Sequence, residues 1–228
     1  MDNTKNDFDN RKIEVEDYFT FLEIIDGDET RIKYIKNGNT VEEKISNKLQ
    51  TIFIANTFLI LYNLIESTVR NSIVEIYIKI QEDNNSYEKL SKNLQKIWIN
   101  QKIDKLKEGR YNHDTLLKTI QNIANNILAK ETIALSKDDI NISGNIDAKK
   151  IRKLAQQIGF AESRNGRSLE KIKNKRNRLA YGEQTFYDVG KNFTLNELNN
   201  FKQETFDYLS DVILKIEKYI LDQKYMKV

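Results

Sequence analysis

Apolar residues recur at helical spacing along most of the chain. In residues 11–26 (RKIEVEDYFTFLEIID), Ile13, Tyr18, Leu22 and Ile25 fall on one face, which predicts a helix that Gly27 ends. Residues 30–41 (TRIKYIKNGNTV) alternate weakly around Asn37-Gly38, a turn signal, and read as a short hairpin or an irregular connector. From about Glu42 to Ile80 the pattern is helical and strongly apolar, with a break expected near Ser46-Asn47. The stretch after that break is the candidate central helix. Its first half is hydrophobic nearly all round, as suits a helix buried among others. Its second half carries Asn63, Glu66, Ser67, Arg70 and Asn71, and the 3–4 spacing of Asn63, Glu66 or Ser67, and Arg70 puts these on one polar stripe. That stripe reads equally as a solvated face with a Glu66–Arg70 pair or as the wall of a polar cleft.

After a polar loop at 81–86, a helix is expected from about Tyr87 to Lys107, with Leu90, Leu94, Ile97, Trp98 and Leu106 inward and a break at Glu108-Gly109-Arg110. Asp114 is the expected cap of a helix over Thr115–Ala129, and 131–145 reads as an extended loop with room for a short strand. Asp147 caps and Gly159 stops a helix over Ala148–Ile158. Ser168 is the expected cap of a basic helix from Leu169 to about Tyr181 or Gly182. A loop with Phe186, Tyr187 and Phe193 follows, and then the capping box of Thr194 and Glu197 opens a long final helix to about Leu221. No repeat of fixed period and no clear domain boundary appear. The pattern predicts one all-α domain over 1–228, a multi-helix bundle with a long central and a long C-terminal helix and little or no β. Residues 1–40 form its N-terminal helix and hairpin or connector, and 41–228 its core bundle.

Composition narrows the chemistry. The 228 residues include no proline, so the commonest helix breaker is missing. They include no cysteine and one histidine, which excludes a disulfide framework, a thiol nucleophile and a zinc site built on Cys or on several His of one chain. No metal or cofactor is expected. Walker A, dinucleotide-fingerprint, HExxH and EF-hand patterns do not occur. The one histidine, His113, lies in a polar stretch (RYNHD) and reads as a solvent-facing residue or local cap. The first ten residues are polar and acidic, unlike a signal peptide, and the apolar run Thr51–Ile65 is short and interrupted. A cytoplasmic chain with no membrane partner is the expectation.

Charge changes the picture more. Between Lys149 and Arg178 stand eleven lysines and arginines against two glutamates, a local +9 in a chain of +3, so the remainder is −6. A basic patch on a slightly acidic body is the footprint of a polyanion-binding protein, or a solvated lysine-rich face. Arg152, Lys153, Lys171, Lys173, Lys175 and Arg178 are its candidate RNA-binding residues. Phe160, Phe186 and Tyr187 are nearby aromatics that would either stack bases or pack in the core.

The most informative stretch is Lys171–Gly190 (KIKNKRNRLAYGEQTFYDVG). Asn177 and Tyr181 share a helix face, with Arg176 one step round the cylinder. A guanidinium and an amide on a basic surface suit a phosphodiester. The run RNRLAYGEQTFYDVGKNFTLNEL resembles the HEPN superfamily (higher eukaryotes and prokaryotes nucleotide-binding), and within it the MAE-type HEPN of bacterial toxin-like loci, whose signature reads RNxLAHG. LYNLIESTVRNSI at 61–73 and SGNIDAKKIRKLAQQIGF at 143–160 resemble its central helix and its basic helix and loop, so the likeness runs from about residue 45 to the end.

The resemblance implies a helical bundle that dimerises, and a metal-independent endoribonuclease of a toxin–antitoxin or anti-phage system. It implies attack of a ribose 2′-OH on the adjacent phosphate, an RNA substrate (tRNA or mRNA) and a cognate antitoxin protein. Arg176 and Asn177 take the catalytic signature positions, and Glu66 and Arg70 would line the same cleft or remain a structural ion pair. Tyr181 stands at the signature His position. A phenol ordinarily titrates near 10, which makes it a poor base at neutral pH, so a rate loss of roughly a hundredfold or more is expected. Tyr181 admits three origins: an inactivating change, a natural non-catalytic relative, or an active variant that uses the phenol. The alternative function is a non-catalytic HEPN-like module that binds RNA, a nucleotide or a partner.

Overall fold

The structure is a computed structural model that describes residues 1–27, 30–107, 113–136 and 145–227. It is organised around α2 (Asn47–Glu82), a helix of 36 residues and about 54 Å. Ser46 caps it, its hydroxyl accepting from the Leu49 N–H, so the expected break stands where Ser46-Asn47 placed it. By length and hydropathy α2 is long enough to cross a membrane. Here its apolar faces lie under α1 (Asp2–Ile25), α6 (Arg167–Ala180), α7 (Phe186–Gly190) and α8 (Leu195–Leu221). Phe58, Leu61, Ile65, Ile73, Ile76 and Ile80 are fully buried along it. Each such side chain contributes about 1.5–3 kcal/mol by leaving water.

α1 begins at Asp2, nine residues before the helix read from periodicity. Thr4, Phe8, Val15, Phe19, Leu22 and Ile25 are its buried face. Ile13, expected inward, is 59% exposed. Thr4 and Phe8 already carry the inward spacing through the polar first ten residues, and Ile13 sits on the opposite side of that stripe. Residues 30–41 resolve as a hairpin, β1 (Arg31–Lys36) antiparallel to β2 (Asn39–Lys44), so Glu42–Lys44 are strand rather than helix. Asn37 and Gly38, both at positive φ, turn it, as two-residue hairpin loops require.

The helix expected over Tyr87–Lys107 is split. Tyr87–Lys89 form a 3₁₀ turn, and α3 (Lys92–Lys107) starts three residues later. The C-terminal tail enters the gap: the Ser91 N–H donates to the Tyr225 carbonyl at 2.8 Å, and Leu90 bridges to Met226. α4 (His113–Leu128) starts at His113, so Asp114 lies in its first turn instead of capping it. The break at Glu108-Gly109-Arg110 and residues 137–144 of the extended loop lie outside the described residues. The described part of that loop makes one isolated bridge, Ser86 to Thr132.

α5 (Ala148–Ile158) starts at the Asp147 cap and stops at Gly159, as read. α6 starts one residue after Gly166. Ser168 therefore sits inside its first turn, where its hydroxyl and N–H bond the Glu204 carboxylate of α8 instead of capping. The aromatic loop after α6 contains the short α7, capped by Thr185. α8 opens with the Thr194–Glu197 capping box and ends at Leu221, as read.

Candidate functional site

α6 is fastened by Leu169, Ile172 and Leu179, all buried. Arg176 falls on the same face, four residues after Ile172 and three before Leu179, so its side chain is carried inward against α2. Its guanidinium carbon lies 4.5 Å from the centre of the Tyr62 ring. Tyr62 is buried, and its hydroxyl accepts the Ile146 N–H at 3.1 Å, so the ring cannot swing away without orphaning that N–H. Burial pushes the Tyr62 phenol up; the Ile146 N–H and the Arg176 charge pull it down, and the Glu66 and Asp147 carboxylates push it further up. Tyr62 is thus a neutral platform for a cation.

Arg176 also donates from Nη1 to the Asn177 side-chain oxygen at 3.0 Å. The Asn177 amide donates in turn to Asn145 at 3.3 Å. The two adjacent signature residues form one hydrogen-bonded unit. Arg176 opens on a cleft of about 290 Å³ between α2, α6 and α7, walled by Leu59, Asn63 and Glu66, by Leu179, and by Phe186. That is the low end of the range for small-ligand pockets.

The polar stripe of α2 divides between two tasks. Glu66 faces this cleft, its carboxylate 3.9 Å from Arg70, which stands one turn further along and outside the cleft lining. Asn63 and Asn71 are clasped by α1. Arg11 donates to Asn63 at 2.6 Å and pairs with Asp7 at 2.9 Å, and Asn71 donates to the same Asp7 carboxylate at 3.0 Å. Tyr181 does not line the cleft that Arg176 opens on. It caps α6 through its backbone, its side chain is 67% exposed, and among the described residues its ring makes no hydrogen bond.

The candidate basic residues separate as well. Lys173 pairs with Asp147 at 2.5 Å, both largely buried. Burial works to raise the Asp147 carboxyl, but Lys173 and the N–H groups of Lys150 and Lys149 hold it below the ordinary range. Arg152 donates to the Asn165 carbonyl at 3.3 Å, and Lys153 is exposed on α5. Lys171 lies 5.1 Å from the ring centres of Phe193 and Phe201, Lys175 lies 5.6 Å from that of Phe193, and Arg178 reaches Gln184 at 3.5 Å. Of the aromatics, Phe160 is core and Phe186 a half-buried cleft wall, while Tyr187 is 43% exposed with the Lys191 ammonium 5.6 Å from its ring centre. His113 is exposed at the start of α4.

Sequence reasoning missed Tyr62 and Asn145. Tyr62 lies in an apolar run and looks like core, yet it stands four residues before Glu66 and so on the same side of α2. Nothing local marks Asn145, which precedes the α5 cap.

A family model described as HEPN_MAE_28990-like HEPN matches residues 1–225. No curated protein and no solved structure matches the chain.

Proposed function

The chain belongs to the HEPN_MAE_28990-like HEPN family, and from that membership we propose that it acts on RNA, as an endoribonuclease toxin of a bacterial toxin–antitoxin or anti-phage system whose cleavage is weakened by Tyr181. The observation that carries the reading is the Arg176 guanidinium, bonded to Asn177, stacked on Tyr62 and open to a cleft. A guanidinium already oriented by an amide and an aromatic face presents its remaining N–H groups to a phosphate at low entropic cost.

In the proposed reaction the ribose 2′-oxygen bonds to the adjacent phosphorus and the bond from phosphorus to the 5′-oxygen breaks. The products are a 2′,3′-cyclic phosphate and a 5′-hydroxyl. Arg176 stabilises the charge that builds on the non-bridging oxygens. The proton of the 2′-OH passes to water and the departing 5′-oxygen takes a proton from water, because Tyr181 does not line this cleft.

A non-catalytic RNA-binding module is the second reading. The exposed placement of Tyr181, outside the cleft lining, favours it. In the active reading a second copy, an antitoxin that covers the cleft, and a cytoplasmic site of action complete the system. The test is incubation of total tRNA with purified Tyr181→His protein in EDTA. Fragments ending in cyclic phosphate are expected, and RNA left intact under all conditions overturns the nuclease reading.

A further inference from the structure

The basic residues of α6 do not form one even coat. Lys173, on the flank towards α5, is neutralised by Asp147. Lys171, Lys175 and Arg178 follow one another at spacings of four and three on the opposite flank, a stripe about 10 Å long. None of the three has a carboxylate within salt-bridge distance among the described residues. Glu197, whose carboxyl is held down by the Thr194 N–H and hydroxyl and then by the charge of Lys171, is engaged in its capping box. Partial burial pushes the Lys175 ammonium down, and the charges of Arg178 and Lys171 add to this. Three like charges at helical spacing repel one another by a few tenths of a kcal/mol per pair.

The stripe persists because Phe193 and Phe201 seat Lys171 and Lys175 on their rings. Phe193 itself is buried against Phe58, with ring centres 4.8 Å apart, so the seat is rigid. At the end of the stripe Arg178 reaches Gln184, two residues before α7, whose Phe186 walls the Arg176 cleft.

We infer that Lys171, Lys175 and Arg178 are a phosphate track, along which a single RNA strand enters the Arg176 cleft over the α7 and α8 side, and that the α5 residues Arg152 and Lys153 lie off this path. The inference rests on the RNA reading above and gives that reading a direction. A polyanion is the ligand class that removes the mutual repulsion of the three cations while leaving the ring contacts of Lys171 and Lys175 intact. A strand on this flank passes Tyr187, the exposed aromatic of α7, and reaches Arg178 one turn before Tyr181.

The experiment is binding of a short fluorescein-labelled oligouridylate over a series of salt concentrations. The parent chain is compared with the triple variant Lys171→Gln, Lys175→Gln, Arg178→Gln and with the double variant Arg152→Gln, Lys153→Gln. Each lost contact to a single strand removes about 0.7 from the slope of log affinity against log salt. The triple variant is expected to lose about 2 in slope, and the double variant to keep the parent's slope. Arg178→Gln alone, at an exposed position, is expected to lose about 0.7, which keeps the test alive if the triple variant folds poorly. A triple variant with the parent's slope, or a double variant that loses as much, overturns the track while leaving RNA binding standing. A parent chain with no affinity for the oligonucleotide overturns the RNA reading itself.

Discussion

Arg176 owes its position to Tyr62. The guanidinium rests on a ring that is itself pinned by the Ile146 N–H, so two modest interactions fix one side chain. Tyr62→Phe keeps the platform and removes the acceptor; it is expected to cost about 1–3 kcal/mol in urea unfolding, the penalty of an unsatisfied buried donor. Tyr62→Ala removes both and should cost about 3–5 kcal/mol. Asp147 provides a residue-scale test by pH. Its carboxyl titrates lower folded than unfolded, so its contribution is present above the unfolded value near 4 and is lost as pH falls through the folded one. Below about pH 4 the parent is expected to lose stability more steeply than Asp147→Asn. Parallel acid-unfolding curves for the two proteins would remove Asp147 from the account.

At the scale of elements, α7 matters beyond its five residues. A Cβ on Gly190 would stand 1.9 Å from the Thr51 carbonyl oxygen, so α7 lies flush on the first turns of α2. Gly190→Ala is expected to destabilise the chain by at least about 1–3 kcal/mol, the usual cost of overpacking, and to lower RNA affinity with it, because Phe186 is carried on the same short helix. Thermal unfolding measures the first effect and oligonucleotide binding the second.

Elements with strong local signals are legible in the chain's own residues. The Ser46 break, the Asp147 and Gly159 ends of α5, and the Thr194–Glu197 box all stand where their residues put them, because caps act within one turn. What is not legible depends on residues far away in sequence. The split at Leu90-Ser91 is made by the C-terminal tail at Tyr225, and Ser168 is diverted from capping by Glu204. In the site, Arg176 and Asn177 are readable as a pair. The Tyr62 platform is not, since only the packing of α6 on α2 distinguishes it from core.

For the whole molecule, charge is the organising fact. A net charge of +3 conceals a +9 segment, and folding divides that segment again into a paired side and an open side. Lys171, Lys175 and Arg178 follow one flank of α6, while Arg176, on the face packed against α2, opens on the cleft. The central claim is that Arg176 in this cleft acts on an RNA phosphodiester. Its most direct test is cleavage of total tRNA, with EDTA present, by the chain itself, by Tyr181→His, and by Tyr181→His combined with Arg176→Ala. Strong cutting by the Tyr181→His protein, leaving cyclic-phosphate ends, weak or no cutting by the parent, and none by the double variant is the predicted result. Cutting by the double variant at the rate of Tyr181→His would contradict the role given to Arg176.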